Sequence, residues 1–153
     1  MDKKSSEIIK QFNLKAHPEG GWFREVLRSE SYVIRKDGEE RNNITGIYYM
    51  LCKNEISKWH KVNYADEIWI YLKGAPLNLW CLDDGNKELK KLRIDSNNPV
   101  EMIPSGYWQA ARSSGEYTLV SCCVGPGFEF WDFEMLKNKK PSLRPNKALK
   151  ELL

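Results

Sequence analysis

Apolar and polar residues alternate with a period of two over most of this chain, and turn-forming clusters of Gly, Pro, Asn, Asp and Ser interrupt the alternation at even spacing. The pattern predicts a strand from Trp22 to about Ser29, a charged hairpin turning at Lys36-Asp37-Gly38-Glu39, and a strand over Asn42 to Lys53. Further strands are predicted over Ala75 to Leu82, Leu89 to Ile94, Val100 to Ile103, Trp108 to Arg112 and Tyr117 to Val124. The last two read as a hairpin around Ser113-Ser114-Gly115-Glu116, and Asp83-Asp84-Gly85-Asn86 ends an earlier strand. The lysines of Leu89 to Ile94 suit an edge strand. Gly125-Pro126-Gly127 breaks the alternation, after which Phe128 to Phe133 resumes extended structure. About nine or ten short strands imply an all-β barrel or sandwich. Only the ends differ. Ser5 to Leu14 carries a helical stripe of Ile8, Ile9 and Phe12 behind a serine cap, and Asn146 to Leu152 suits a short helix in a basic, Pro-punctuated tail.

The chain is organised around Trp59 to Gly74, which reads as a hairpin of two strands joined by a polar turn at Asn63 to Asp66. Ile68, Ile70 and Leu72 share one face of the second strand, and Glu67, Trp69 and Tyr71 share the other. A strand apolar on both parities is expected to be covered on both sides. Glu67 then faces an enclosed, aromatic-walled space, where a carboxylate needs a partner. His60, across the hairpin, is the candidate. On its own, such a pair could equally serve to fix the register of the hairpin.

At 153 residues the chain is expected to form a single domain, 1–153, ending in a basic tail, 137–153. Six Trp and seven Tyr suit a β-rich fold or a ligand pocket. The net charge of +3 is modest, and the lysine clusters read as solvated surface, so no nucleic-acid partner is expected. Cys52, Cys81 and Cys122 lie in apolar runs without C-x-x-C spacing, and Cys122 and Cys123 point to opposite faces of one strand. With no signal peptide and no long apolar span, a cytoplasmic protein without membrane attachment is expected.

The spacing from His60 through Glu67 to Gly74 resembles the first motif of the cupins, with Val62 where a second His is usual. Pro104-Ser105-Gly106-Tyr107-Trp108-Gln109 resembles the second motif, with Gln109 in the place of its His. His17-Pro18-Glu19-Gly20-Gly21-Trp22-Phe23, in isolation a sharp turn with polar ornaments, adds to the likeness. So do Asp66-Glu67-Ile68-Trp69, Trp108 to Arg112 and Gly125 to Phe130. Together they look like the cupin type-5 group, catalogued as a domain of unknown function, over a core of roughly 8–136. The resemblance implies a jelly-roll barrel (a double-stranded β-helix) with a short N-terminal helix and a short C-terminal helical tail. It also implies that His60, Glu67 and Gln109 converge in the barrel mouth. Cupin metal sites use three His and one Glu. Val62 cannot coordinate and Gln109 offers a neutral amide, so no metal or other cofactor is expected, and any metal would fall to His60, Glu67 and Gln109.

The layout is also similar to that of the nucleotide-sugar 3,5-epimerases, which use a His base, an acidic partner and a Tyr acid without metal. The strand Leu119 to Val124 holds no Tyr, so the acid would come from Tyr71, Tyr48 or elsewhere. The resemblance implies an isomerase or epimerase acting on a small polar molecule such as a sugar or nucleotide derivative. His60 would be the base, Glu67 its partner and Gln109 a donor to the ligand, with Trp69, Tyr71 and Tyr48 beside it. Two alternatives stand: a non-catalytic module binding such a ligand, and a metal-dependent enzyme with a depleted ligand set. The apolar face of Ile68, Ile70 and Leu72 suggests a two-fold homodimer.

Overall fold

The computed structural model describes residues 3–83, 85 and 87–153. Asp84 and Asn86, from the turn expected at Asp83 to Asn86, lie outside the described residues. The chain runs α1 (Lys3–Gln11), β1 (Lys15–Ala16), β2 (Trp22–Arg28), β3 (Tyr32–Ile34), β4 (Glu40–Asn42), β5 (Thr45–Cys52), β6 (Ile56–Val62) and β7 (Asp66–Gly74). It continues through β8 (Leu77–Leu82), β9 (Leu89–Ile94), β10 (Val100–Ile103), β11 (Trp108–Ser113), β12 (Tyr117–Gly125) and β13 (Phe133–Met135).

Two antiparallel sheets form a jelly-roll sandwich. One has the order β1-β2-β5-β12-β7-β10 and the other β13-β6-β11-β8-β9, while β3 and β4 make a separate hairpin. Two expected hairpins are corrected by this topology. β6 and β7 lie in different sheets, as do β11 and β12, so their connections cross the sandwich. Turn residues specify that the chain reverses, and the layering decides which strand it meets next. The sandwich closes on inward residues of both sheets, including Tyr49, Leu51, Trp69, Leu79, Ile103 and Val120.

The outer faces are covered unequally. Helix α1 lays Ile8, with Leu14 just beyond it, over Met50 and Leu119. On the other sheet the C-terminal tail packs Leu136 and Leu152 over Trp59, Leu82 and Trp108, and Trp59 Nε1 donates to the Leu149 carbonyl at 3.0 Å. The tail does so through 3₁₀ turns, Pro141–Leu143 and Lys150–Leu152, in place of the expected helix. Residues 128–132, expected to be extended, include a 3₁₀ turn at Phe130–Asp132. The outer face of β7 is only partly covered by the described residues. Ile68 is 37% and Leu72 43% exposed, and beside them on β10 Val100 is 51% and Met102 53% exposed.

The 3₁₀ turn is tied down by charge. Asp132, buried, accepts from Arg35 Nη1 at 2.8 Å and Arg41 Nε at 2.9 Å, and its carbonyl accepts the Asn63 N–H at 2.8 Å. The β3–β4 hairpin is thereby fastened to the segment that follows β12. Asp132→Ala leaves two largely buried guanidiniums without their shared carboxylate. We expect a loss of about 3 kcal/mol in denaturant unfolding, near the low end for a broken buried pair because Arg35 keeps Asp37 and Arg41 keeps Glu39. A midpoint unchanged from wild type would show that the hairpin is held by other contacts.

Candidate functional site

The site is assembled by the turn ahead of β2. The Gly20 N–H donates to the His17 carbonyl at 3.0 Å, and the His17 N–H donates to the Gly21 carbonyl at 3.0 Å. The Lys58 N–H donates to the Glu19 carbonyl at 2.9 Å, pressing the turn against β6. Gly20 has φ +109° and faces the Ile56 carbonyl so closely that a side chain would collide with it. This packing sends the Glu19 side chain into the sandwich, where it is 5% exposed.

There Glu19 meets three side chains. Ser57 Oγ donates to its Oε1 at 2.8 Å, His60 Nε2 lies 3.2 Å from its Oε2, and His17 Nδ1 lies 3.6 Å from the same oxygen. His60 Nδ1 stands 2.7 Å from the Lys58 carbonyl. A carbonyl only accepts, so Nδ1 carries a hydrogen, and Nε2 and Oε2 must share one proton between them. Burial pushes Glu19 up to about 8, against the opposing bond from Ser57. Burial also lowers His60 below its usual range, outweighing the charge of Glu67. Both shifts point the same way, favouring a neutral acid that donates to a neutral imidazole. His17 is depressed to about 3, by burial first and by His60 second.

Glu67 approaches from the opposite sheet. Gln109 Nε2 donates to its Oε2 at 2.5 Å, and Trp69 Nε1 donates to Gln109 Oε1 at 2.8 Å. Gln109 pairs with His60 across β11 and β6, so this chain of bonds links the two sheets beside the imidazole. Burial raises Glu67 to about 7, partly opposed by His60 and reinforced by Glu19.

These groups line a cavity of about 100 Å³. Its floor holds His17, Glu19, His60, Glu67 and Cys122, its walls Phe23, Phe128, Phe130 and Phe133, and its rim Glu25, Arg28 and Glu129. Arg28 pairs with Glu25 and with Glu129, each at 2.9 Å.

Several expected placements are corrected. The direct partner of His60 is Glu19, and Glu67 acts on it through charge alone among the described residues. Gln109 and Trp69 stand behind Glu67 and do not line the cavity. Tyr71 donates its hydroxyl to the Gly74 carbonyl at 2.6 Å, away from the cavity lining. Tyr48 lies on the outer face of β5, edge-on to Phe12 at 5.0 Å, because strand alternation gives the inward position to Tyr49. Sequence reasoning missed Glu19 and His17 as site residues. The available signal was scarcity, since both histidines of the chain meet here.

The donors do not fit the cupin metal set. Val62 lines the cavity where a second histidine would stand, and both Gln109 side-chain atoms are engaged by Trp69 and Glu67. Among the described residues no group of three or more His, Cys, Asp or Glu side chains is arranged to hold a metal ion.

Comparison with known proteins agrees with the fold. A yeast protein, the uncharacterized protein YML079W of Saccharomyces cerevisiae, is 32% identical and aligns over 93% of this chain and 81% of its own length. A hypothetical protein from Leishmania major superposes with a TM-score of 0.79 at 29% identity, covering 85% of each chain. Protein SO0799 from Shewanella oneidensis does so with a TM-score of 0.76 at 30% identity, covering 86% of this chain and 83% of its own. Residues 6–136 match the family described as Cupin superfamily (DUF985), and the chain belongs to that family.

Proposed function

We propose that the cavity binds a small polar molecule and moves a proton on it without a metal, as an isomerase or epimerase would. The single proton shared between Glu19 and His60 at 3.2 Å, beside a second buried carboxyl, carries this proposal. Both nitrogens of His60 are engaged, so Glu67 takes the role of base that the sequence assigned to His60. Its value of about 7 suits transfer near neutral pH. Gln109 and Trp69 hold Glu67 in place, and the Glu19–His60 pair can return the proton.

The saturation of His60 also favours a second function, a binding module that holds a ligand and leaves it unchanged. Incubation in deuterium oxide with aldoses, uronates, amino sugars and sugar nucleotides separates the two. Proton transfer predicts label at the carbon beside the carbonyl of at least one compound, with Glu67→Gln slowing incorporation by about 10²-fold or more. Binding without any incorporation would leave the binding module.

The shared proton also sets a pH profile. Glu19 and Glu67 hold protons more tightly folded than unfolded, so their contribution is complete below 4.5 and is lost as pH rises towards about 8 and 7. His17 and His60 are kept neutral by the fold, so their contribution is complete above 6.5 and is lost as pH falls, for His17 towards about 3. The melting temperature should be flat from 4.5 to 6.5, where the two trends oppose, and fall on either side. Glu19→Gln should flatten the alkaline fall. A wild-type melting temperature that climbs from pH 6.5 to 8 would contradict the protonated state of Glu19.

We also propose that a second copy covers the open face of Ile68, Leu72, Val100 and Met102 around a two-fold axis. Light scattering should give a dimer mass that Met102→Lys reduces to the monomer. A wild-type monomer at every concentration would rule the pairing out.

A further inference from the structure

The cavity is acidic and aromatic at once. Four carboxyl groups line it, Glu19, Glu25, Glu67 and Glu129, and its lining holds no lysine and one guanidinium, Arg28, among the described residues. Arg28 is already paired at the rim with both Glu25 and Glu129 and also donates to the Asn42 side chain at 2.8 Å. The two histidines on the floor are kept neutral by burial. Among the described residues no unpaired cation lines the cavity to receive a phosphate or a carboxylate.

Glu67 has one strong donor and accepting capacity to spare. It is 8% exposed, and its Oε2 is bonded by Gln109. Among the described residues its carboxyl otherwise meets only the Cys122 thiol, a weak donor that lines the same cavity. A buried carboxylate in that state is stabilised by whatever brings it a proton donor or a positive charge. Around it Phe128, Phe130 and Phe133 pack edge to face, with ring centroids 5.0 to 6.0 Å apart, and Phe23 packs edge-on to His17 at 4.5 Å. Aromatic rings attract a cation and also bury its hydrocarbon.

We propose that the cavity takes a small protonated amine, its ammonium N–H groups donating to Glu67 and its carbon chain lying among the phenylalanines. An anion would meet like charge, and a neutral polar molecule would leave Glu67 uncompensated. The space of about 100 Å³ admits an ammonium group and a few carbons, so a larger amine would extend through the rim past Phe130, which is 54% exposed. The proposal rests on the cavity being the ligand site argued above and does not require that a reaction follow.

The test compares ligands of one shape and different charge. Full-length protein at pH 8 is titrated with n-propylamine, 1-propanol, propionate, tetramethylammonium and zinc, followed by calorimetry and by the ring resonances of Phe128 and Phe133. At that pH Glu67 is above its value of about 7 and an alkylamine is still protonated. Propylammonium should bind at least tenfold more tightly than propanol, propionate or tetramethylammonium. Glu67→Gln, which keeps an oxygen for Gln109, should lose at least tenfold in that affinity while Phe133→Leu loses less. Binding of propanol or propionate as tightly as the amine would overturn the choice of ligand and leave the cavity a ligand site. Tetramethylammonium binding as tightly would remove the N–H contact with Glu67 and overturn it too. Zinc that displaces the amine and depends on Glu67 would give the site to a metal. If no compound perturbs the ring resonances, the amine proposal and the ligand-site proposal fail together.

Discussion

A carboxyl group taken out of water, Glu19, is the constraint on which the rest of this structure turns. Its burial is tolerable only while Ser57 and His60 meet it, and both face inward from β6 because the register shifts between them: His60 pairs with Gln109 and Ser57 with Ala111. The turn carrying Glu19 must then sit hard against β6, which explains the Lys58-to-Glu19 backbone bond and the lack of space for a side chain at Gly20. Once that turn is placed, β2 begins directly after it and pairs with β5, which brings Phe23 and Glu25 to the cavity wall. One buried acid thus fixes where the N-terminal segment enters the sandwich.

The second carboxyl imposes a constraint of a different kind. Glu67 belongs to one sheet and Gln109 to the other, so their bond spans the layers, and Trp69 Nε1 holds the amide from the far side. Both side-chain atoms of Gln109 find a partner in this chain of bonds, as a low-dielectric interior demands. The amide orientation follows: with Trp69 donating to the oxygen, the nitrogen must face Glu67. On the function proposed above, Gln109 is a positioning residue. That role suits its place behind the cavity better than the direct ligand contact its motif position suggested.

The strands were legible in the sequence because a half-buried strand has a period of two, and the positions of β6, β7, β10, β11 and β12 match that alternation closely. Pairing was not legible. The turns at Asn63 to Asp66 and Ser113 to Glu116 look alike whether the chain returns beside itself or crosses to the facing sheet. Local chemistry stops at the reversal, and only the sandwich as a whole selects the partner. The covering of the outer face of β7 was not legible for a similar reason. An apolar face predicts a covering, but the sequence of one chain does not say whether its own helix or another surface supplies it, and α1 covers Met50 and Leu119 instead.

The site was half legible, and the missing half is informative. His60, Glu67 and Gln109 could be found because they occupy motif positions on strands, whereas Glu19 sits in a turn whose glycines and proline read as backbone chemistry. Seen from the turn, Pro18, Gly20 and Gly21 serve to point one side chain inward. Val62, where a second ligand would complete a metal site, leaves a neutral wall, and Glu19 fills the remaining space at His60 with an acid. An imidazole facing a metal must keep a lone pair bare, whereas one facing a protonated carboxyl accepts a hydrogen bond. Replacing the metal by a proton changes what the cavity can do. On the function proposed above, the cavity would give or take one proton, at a pH that burial has moved close to neutrality, in place of polarising a ligand as a Lewis acid.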